Sequence, residues 1–471
     1  MRRQNRFSSI GKTFLYLIFL ALVIGGFIFI FPRFEWHAPT VEMKLDSEFI
    51  GLRPFDVVIK DKGKGLKRVS IGLTNEQGEF PLIQEYYSLP VMEKNFAIAL
   101  DPKKLGIKDG PATIRVTAVD GSYWGFFKGN KTTLSKDVKI DVTPPRVEVL
   151  SRENYINFGG SGAVIYKTSK DSVKNGVKIG DYFFKGYKGY FNNPDVYIAI
   201  FAYPYNVPTD KKIVVIAEDG AGNSKEVGFS YRLKDVKYRK SSLDISDDFI
   251  ERKVVPLLGD DSNQGDDLKG SFLKVNRELR KKNEDEIKRI GEKSSSSILW
   301  SGGFHQLTNS KVEANFADAR TYIYNEEVID NQYHLGYDLA VTQKYPIEAA
   351  NDGVVLFAGD LGIYGNTVII DHGLGVATLY GHMSSIDVKV GDKIKKKQII
   401  GRTGDTGLAA GDHLHYAVLL DGVPVLPIEW WDEKWINDNI LNKIKEAELN
   451  FGTRSTQGDI SEESPSQPKV Q

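Results

Sequence analysis

The chain has no cysteine among its 471 residues. That removes disulfides, thiolate metal ligands and cysteine nucleophiles together, and leaves no redox argument about compartment. It also lacks an excess of either charge: 62 lysines and arginines balance 62 aspartates and glutamates, and the pI is near 7.1. A nucleic-acid-binding chain would carry a basic bias, so that class is set aside. Histidine is scarce, with seven copies. Hydrophobic residues, at 41%, suffice for ordinary cores, and at roughly 100–200 residues per domain the length suggests about three folded domains.

Charge is absent from Thr13–Phe31, a run of 19 residues rich in Leu, Ile and Phe. At about 1.5 Å per residue it reaches across a hydrocarbon core of roughly 30 Å. Residues 1–12 carry Arg2, Arg3, Arg6 and Lys12 and no acid, which predicts a cytoplasmic tail. Residues 13–31 are therefore expected to be a retained single-pass anchor in the cytoplasmic (inner) membrane. The bulk of the chain is then expected in the periplasm or cell-wall space. A cleaved signal peptide would have an apolar region of roughly 7–15 residues ending at a small-residue site, and Phe29–Trp36 offers no such site. Phe34 and Trp36 suit an interfacial aromatic belt.

The expected fold class is mainly β. Short alternating runs such as Val57-Val58-Ile59 and Ile114-Arg115-Val116-Thr117-Ala118 sit between Gly, Pro, Asp and Asn clusters. A weak repeat relates Val116-Thr117-Ala118-Val119-Asp120-Gly121 to Val215-Ile216-Ala217-Glu218-Asp219-Gly220, 99 residues on. Two tandem β-sandwiches fit that spacing, at 39–143 and 144–235, with the prolines after Thr143 marking the boundary. They loosely resemble bacterial immunoglobulin-like (Ig-like) modules, and spacing or scaffolding is their simplest role. Residues 245–297 read as a helical segment and linker. Phe272, Leu273, Val275, Leu279, Ile287 and Ile290 stand at roughly helical spacing, and Ser294–Ser297 is linker-like. Residues 298–435 are again strand-like and glycine-rich. Residues 436–450 read as a closing helix, which Trp430, Trp431 and Trp435 would pack, and 452–471 as a disordered tail.

Six of the seven histidines fall within Trp300–Trp435, four of them in patterns: His334-Leu-Gly-Tyr-Asp338, Tyr380-Gly381-His382 and His413-Leu-His415. Side chains two apart share a strand face, so His413 and His415 project together. In an extended stretch His334 and Asp338 would share a face as well. Two histidines and one carboxylate suit zinc and leave a fourth position for water. The remaining imidazoles, titrating near neutrality, suit proton transfer. His372, in an Asp-His-Gly turn, reads as structural, and His305 and His37 read as peripheral.

With these motifs the stretch Trp300–Pro427 resembles the lysostaphin/LytM-type zinc endopeptidases, a family of peptidoglycan hydrolases. The likeness also runs through Trp300-Ser-Gly-Gly-Phe304, Arg320, Asn351-Asp-Gly353, Tyr364-Gly365-Asn366, Asp371-His372-Gly373, Val390-Gly391-Asp392 and Gly404-x-Thr406-Gly407. It implies one zinc ion on His334, Asp338 and His415, with His382 and His413 as the catalytic pair. It implies peptidoglycan as substrate, cut at its peptide cross-links, and a β architecture like the barrel-sandwich hybrid. Lys397 and Asp412 depart from the family pattern without touching a ligand, and Tyr322–Asn331 has no match in it. A catalytically silent regulator that binds cell wall or activates an amidase is the alternative. A membrane-fusion adaptor of an export pump, suggested by the lipoyl-like run Val388–Thr403, would not need the five residues. The sandwich domains are candidate surfaces for cell-envelope partners.

Overall fold

Apolar residues that alternate with polar ones make half-buried strands, and the 110–120 stretch shows the result: Ile114, Val116 and Ala118 are fully buried. The computed structural model describes residues 7–31, 34–259 and 267–452. The first six residues of the expected cytoplasmic tail, and all of the expected disordered tail except Gly452, lie outside them. The chain divides into two compact units, residues 1–145 with 218–224, and residues 146–217 with 225–471.

In the first unit, Thr40–Lys44, Phe55–Lys60 and Glu93–Ile98 form one antiparallel sheet. A second sheet runs in the order Phe49–Ile50, Lys131–Ile140, Gly110–Asp120, Leu66–Asn75, Gly78–Val91. Val57, Ile59, Ile71, Leu73, Ile114 and Val138 are the core between them. Upstream, Phe7–Ile30 is helical. Its side chains are described from Thr13 to Phe29, and nearly all are exposed. Among the described residues no helix is long and apolar enough to cross a membrane; a span needs roughly 20 apolar residues.

In the second unit, strands Ser161–Thr168 and Val196–Ala202 pair antiparallel and are buried on both faces. A strand covered on both sides reads as a continuous apolar run rather than an alternating one. One cover is the C-terminal helical stretch, whose Ile440, Ile444 and Ala447 share a core with Ile165 and Ile198. Trp430 is fully buried there and its indole N–H donates to Ser161 Oγ at 3.2 Å. Glu429 accepts from Asn157 Nδ2 at 2.6 Å and from Ser161 N at 2.8 Å.

The sheet that carries the site runs in the order Lys311–Ala314, Tyr337–Ala340, Leu414–Leu420, Val376–Gly381, Asn366–Gly373, Gly353–Asp360, Lys393–Ile394. A helical stretch, Leu268–Gly291, packs Phe272, Val275, Ile287 and Ile290 against Ile369, Leu379, Ala417 and Leu419 of that sheet. The apolar residues at helical spacing thus belong to the core of this unit. Ser294–Ser297, linker-like in composition, is bonded down: Ser294 Oγ donates to Asp371 Oδ1 at 2.6 Å, and Ser295 N to Oδ2 at 2.9 Å. Serine marks a flexible linker only where nothing accepts its donors, and here a buried carboxylate does.

Candidate metal centre

Three neighbouring strands bring the centre together. Asp338 on Tyr337–Ala340 lies opposite His415 on Leu414–Leu420, which lies opposite Gly381 at the end of Val376–Gly381. His382 follows Gly381 with φ +62°, a left-handed conformation that costs a non-glycine residue free energy and clusters at functional sites. Its amide is tied to Tyr364 O at 2.7 Å. His334 ends the preceding strand, Glu327–His334, and Leu335–Gly336 turns the chain before Asp338. The two residues are therefore not on one extended strand, as parity alone suggests. A turn between two strands brings them together. His413 precedes its strand and is held by a lone bridge to Gly404.

Three donor atoms converge. His334 Nε2 lies 2.9 Å from Asp338 Oδ1, His415 Nδ1 lies 3.1 Å from the same oxygen, and the two nitrogens are 3.1 Å apart. His413 Nε2 stands 3.4 Å from that oxygen. The His382 ring centre is 4.8 Å from that of His413. All five line one cleft of about 620 Å³, with Arg320 and Tyr364 among the other walls.

Backbone carbonyls set the imidazoles. His334 Nδ1 pairs with Asn315 O at 3.0 Å, His382 Nδ1 with Thr406 O at 2.8 Å, and His413 Nδ1 with Gly411 O at 2.8 Å. A carbonyl accepts only, so each Nδ1 carries a proton and each Nε2 is turned into the cleft; a neutral ring keeps its lone pair there, as His382 does, whereas His413 Nε2 faces Asp338 Oδ1. On the far side of Asp338, Arg320 donates to Oδ2 at 3.1 Å. Gly336 is required by close approach: a Cβ there would meet His415 Nε2 at 2.6 Å.

The electrostatics follow from burial. Burial pulls the Asp338 carboxyl up, but the His334 charge and hydrogen bonds from His334, His413 and His415 outweigh it and hold it well below the usual range. Burial, then repulsion from His413 and His415, pushes His382 well below the usual histidine value. Burial likewise lowers His415, to about 4. Burial lowers His413 too, but the hydrogen bond and charge of Asp338 overcome it, and the net shift is upward.

The donor set fits a metal ion. Two imidazole nitrogens and a carboxylate oxygen within about 3 Å of one another need a shared proton or metal cation among them, and two nitrogens with one oxygen suit zinc. His415 Nε2 is buried without a hydrogen-bond partner, so the polar contacts of that ring are all made by Nδ1, on the side of the centre. His372 is the contrast. It is equally buried, but its nitrogens pair with Asp352 O at 2.7 Å and Thr378 Oγ1 at 2.8 Å, leaving none free. His305 sits apart, with Nε2 3.0 Å from Glu348. The unmatched stretch Tyr322–Asn331 forms a hairpin, and its Tyr322 lines the cleft. The orienting carbonyls of Asn315, Thr406 and Gly411 carry no signal in residue type, so no sequence pattern marks them.

Residues 332–427 match peptidase family M23. The DD-carboxypeptidase/endopeptidase Mpg of Neisseria meningitidis is 43% identical over 95 residues, 20% of this chain and 22% of that protein. The peptidoglycan DD-endopeptidase ShyA of Vibrio cholerae is 31% identical over 163 residues, 35% of each. Among solved structures, the catalytic domain of lysostaphin from Staphylococcus simulans is 27% identical over 26% of this chain and 92% of that one, with a TM-score of 0.22. The chain thus spans about a fifth to a third of the length of these curated relatives.

Proposed function

We propose that this chain, whose C-terminal part is a peptidase family M23 domain of the LytM type, is a zinc-dependent endopeptidase that hydrolyses the peptide cross-links of peptidoglycan. The observation that carries this reading is the convergence of His334 Nε2, His415 Nδ1 and Asp338 Oδ1 at 2.9–3.1 Å, with His382 and His413 in the same cleft. His334, Asp338 and His415 would hold the ion. Bound there, zinc would supply Lewis acidity that polarises a scissile carbonyl and acidifies water.

The chain's own groups handle the protons. His382, kept neutral by burial and with its Nδ1 proton on Thr406 O, offers the Nε2 lone pair as a base for the attacking water. His413, held towards its charged form by Asp338, can donate to the oxygen on which negative charge develops. Arg320 holds the outer oxygen of Asp338, so that the inner one stays aimed at the centre.

The helix at Phe7–Ile30, whose 17 described side chains from Thr13 to Phe29 fall just short of a full span by themselves, is proposed as an anchor in the cytoplasmic membrane once the flanking residues of the uncharged run to Phe31 are counted, with the rest of the chain outside it. Support comes from side chains such as Phe14, Leu15 and Leu22, each more than three-fifths exposed to solvent; such a surface needs an apolar environment. The test of the enzymatic reading is digestion of purified sacculi by the full chain in detergent, with mass spectrometry of the fragments. Cross-linked dimers should fall to monomers, and Asp338→Ala should abolish this. Absence of cleavage by zinc-loaded protein would overturn the endopeptidase reading in favour of a silent cell-wall-binding regulator.

A further inference from the structure

A second group of converging donors lies in the first unit. Glu35, Asp61 and Asp120 are all buried, at 9%, 4% and 0% exposure. One carboxylate oxygen of each lies within 4.8 Å of the other two. Most of the surrounding hydrogen bonds place the carboxylates rather than neutralise them. Glu35 Oε2 accepts from Lys64 N at 2.6 Å. Asp61 Oδ2 accepts from Gly63 N at 3.1 Å and Gly65 N at 2.7 Å. Asp120 Oδ1 accepts from Ser122 N at 3.0 Å and Asn130 N at 2.7 Å, and its Oδ2 accepts from Asn130 Nδ2 at 2.9 Å. One atom is left over: Asp61 Oδ1 is buried and has no hydrogen-bond partner.

Buried carboxylates this close repel strongly, and an unpaired buried oxygen is costly. The Glu35 carboxyl is pushed up first by burial and further by the charges of Asp61 and Asp120, against a backbone hydrogen bond and His37. Glu35 lies directly over Gly63, where a Cβ would fall 1.7 Å from its Oε1. The chain has thus left out a side chain where this carboxylate is seated.

We propose that Glu35, Asp61 and Asp120 form a binding site for a hard divalent cation of the calcium class. All the donors are oxygens, with no nitrogen or sulfur, which is the set that calcium takes and zinc does not favour. The cation joins the lead-in segment to the loops of the first sandwich. Asn130 Nδ2 already holds Glu35 O at 2.9 Å and His37 O at 3.4 Å, and Thr132 Oγ1 donates to Pro39 O. Cation binding therefore fixes where the chain enters the first sandwich, independently of the peptidase centre.

The test is titration of the full chain, in detergent and freed of metals on a chelating resin, with calcium chloride alone. Binding is read by calorimetry and by the fluorescence of Trp36 and Trp124, whose rings are 4.4 Å apart. One site should appear, and both Asp61→Asn and Glu35→Gln should weaken it by about tenfold or more. His415→Ala should leave it unchanged. If Asp61→Asn does not fold, Glu35→Gln decides alone. The proposal is overturned by no calcium binding in the wild-type chain, by unchanged affinity in a folded variant, or by tighter binding of magnesium than of calcium.

Discussion

Two places in the second unit bury ionisable side chains, and they differ in what is left unsatisfied. Along the 161–168 strand, the seam with the C-terminal helices, Glu429 and Lys443 are each met. Asn157 and Ser161 donate to Glu429, and Lys443 Nζ donates to Ala163 O at 3.2 Å. In the cleft, by contrast, the Nε2 atoms of His334, His382 and His413 are turned inward by carbonyls behind them, and His415 Nε2 has no partner. Burial alone therefore does not distinguish structural from functional groups. Whether their bonding capacity is already used does.

This contrast makes the cleft sensitive in activity and the seam sensitive in stability. The largest expected effect is that of Asp338→Ala, which should abolish zinc retention and cross-link cleavage together while leaving the fold intact by circular dichroism. Retained zinc, measured by elemental analysis, would show that Asp338 is not a ligand. Next, His382→Ala should keep zinc and lower turnover by roughly 10²–10⁴-fold; normal cleavage would remove His382 from the mechanism. Arg320→Met, which frees the outer oxygen of Asp338, should weaken zinc affinity by roughly 10–100-fold in a competition titration against a chelating dye.

The smallest effect belongs to the seam. Burial raises Glu429 to about 7, against hydrogen bonds from Asn157 and Ser161 that lower it. Since its folded value lies above the unfolded one of 4.5, the stability it contributes is present in acid and is lost as pH rises through about 7. A shift of this size corresponds to at most about 3 kcal/mol. Melting temperature should accordingly fall between pH 5 and pH 8, and Glu429→Gln should flatten that slope with cross-link cleavage unchanged. A Glu429→Gln chain that loses activity but keeps its melting profile would reverse the assignments of cleft and seam.

Much of the centre was legible because chemistry constrains residue type. His334, Asp338, His382, His413 and His415 stand out in a histidine-poor chain, and the structure lines one cleft with them. His413 and His415 both reach Asp338 Oδ1, as alternation along a strand predicts, but His334 and Asp338 meet through the Leu335–Gly336 turn. The weak repeat also has a structural counterpart that its apolar pattern did not reveal. Asp120 pairs with Asn130, and Asp219 with Asn223 at 3.0 Å; each asparagine also holds a backbone carbonyl of a linking segment, Glu35 O and Asp141 O respectively. The pairing was hidden because ten residues separate the first pair and four the second.

The sequence by itself determined the β character of most of the chain, the apolar stripe of Leu268–Gly291 and the donor types of the centre. Those depend on local periodicity and on the chemistry of single side chains. Only the tertiary structure decided that Glu35, sitting in an unremarkable lead-in segment, meets Asp61 and Asp120, and that the apparent linker at Ser294–Ser297 is bonded to Asp371. It also decided which buried histidine nitrogens are free. Those facts turn on which backbone carbonyls and amides arrive beside a side chain from distant strands. Every residue carries the same carbonyl, so residue type holds no trace of where it will point.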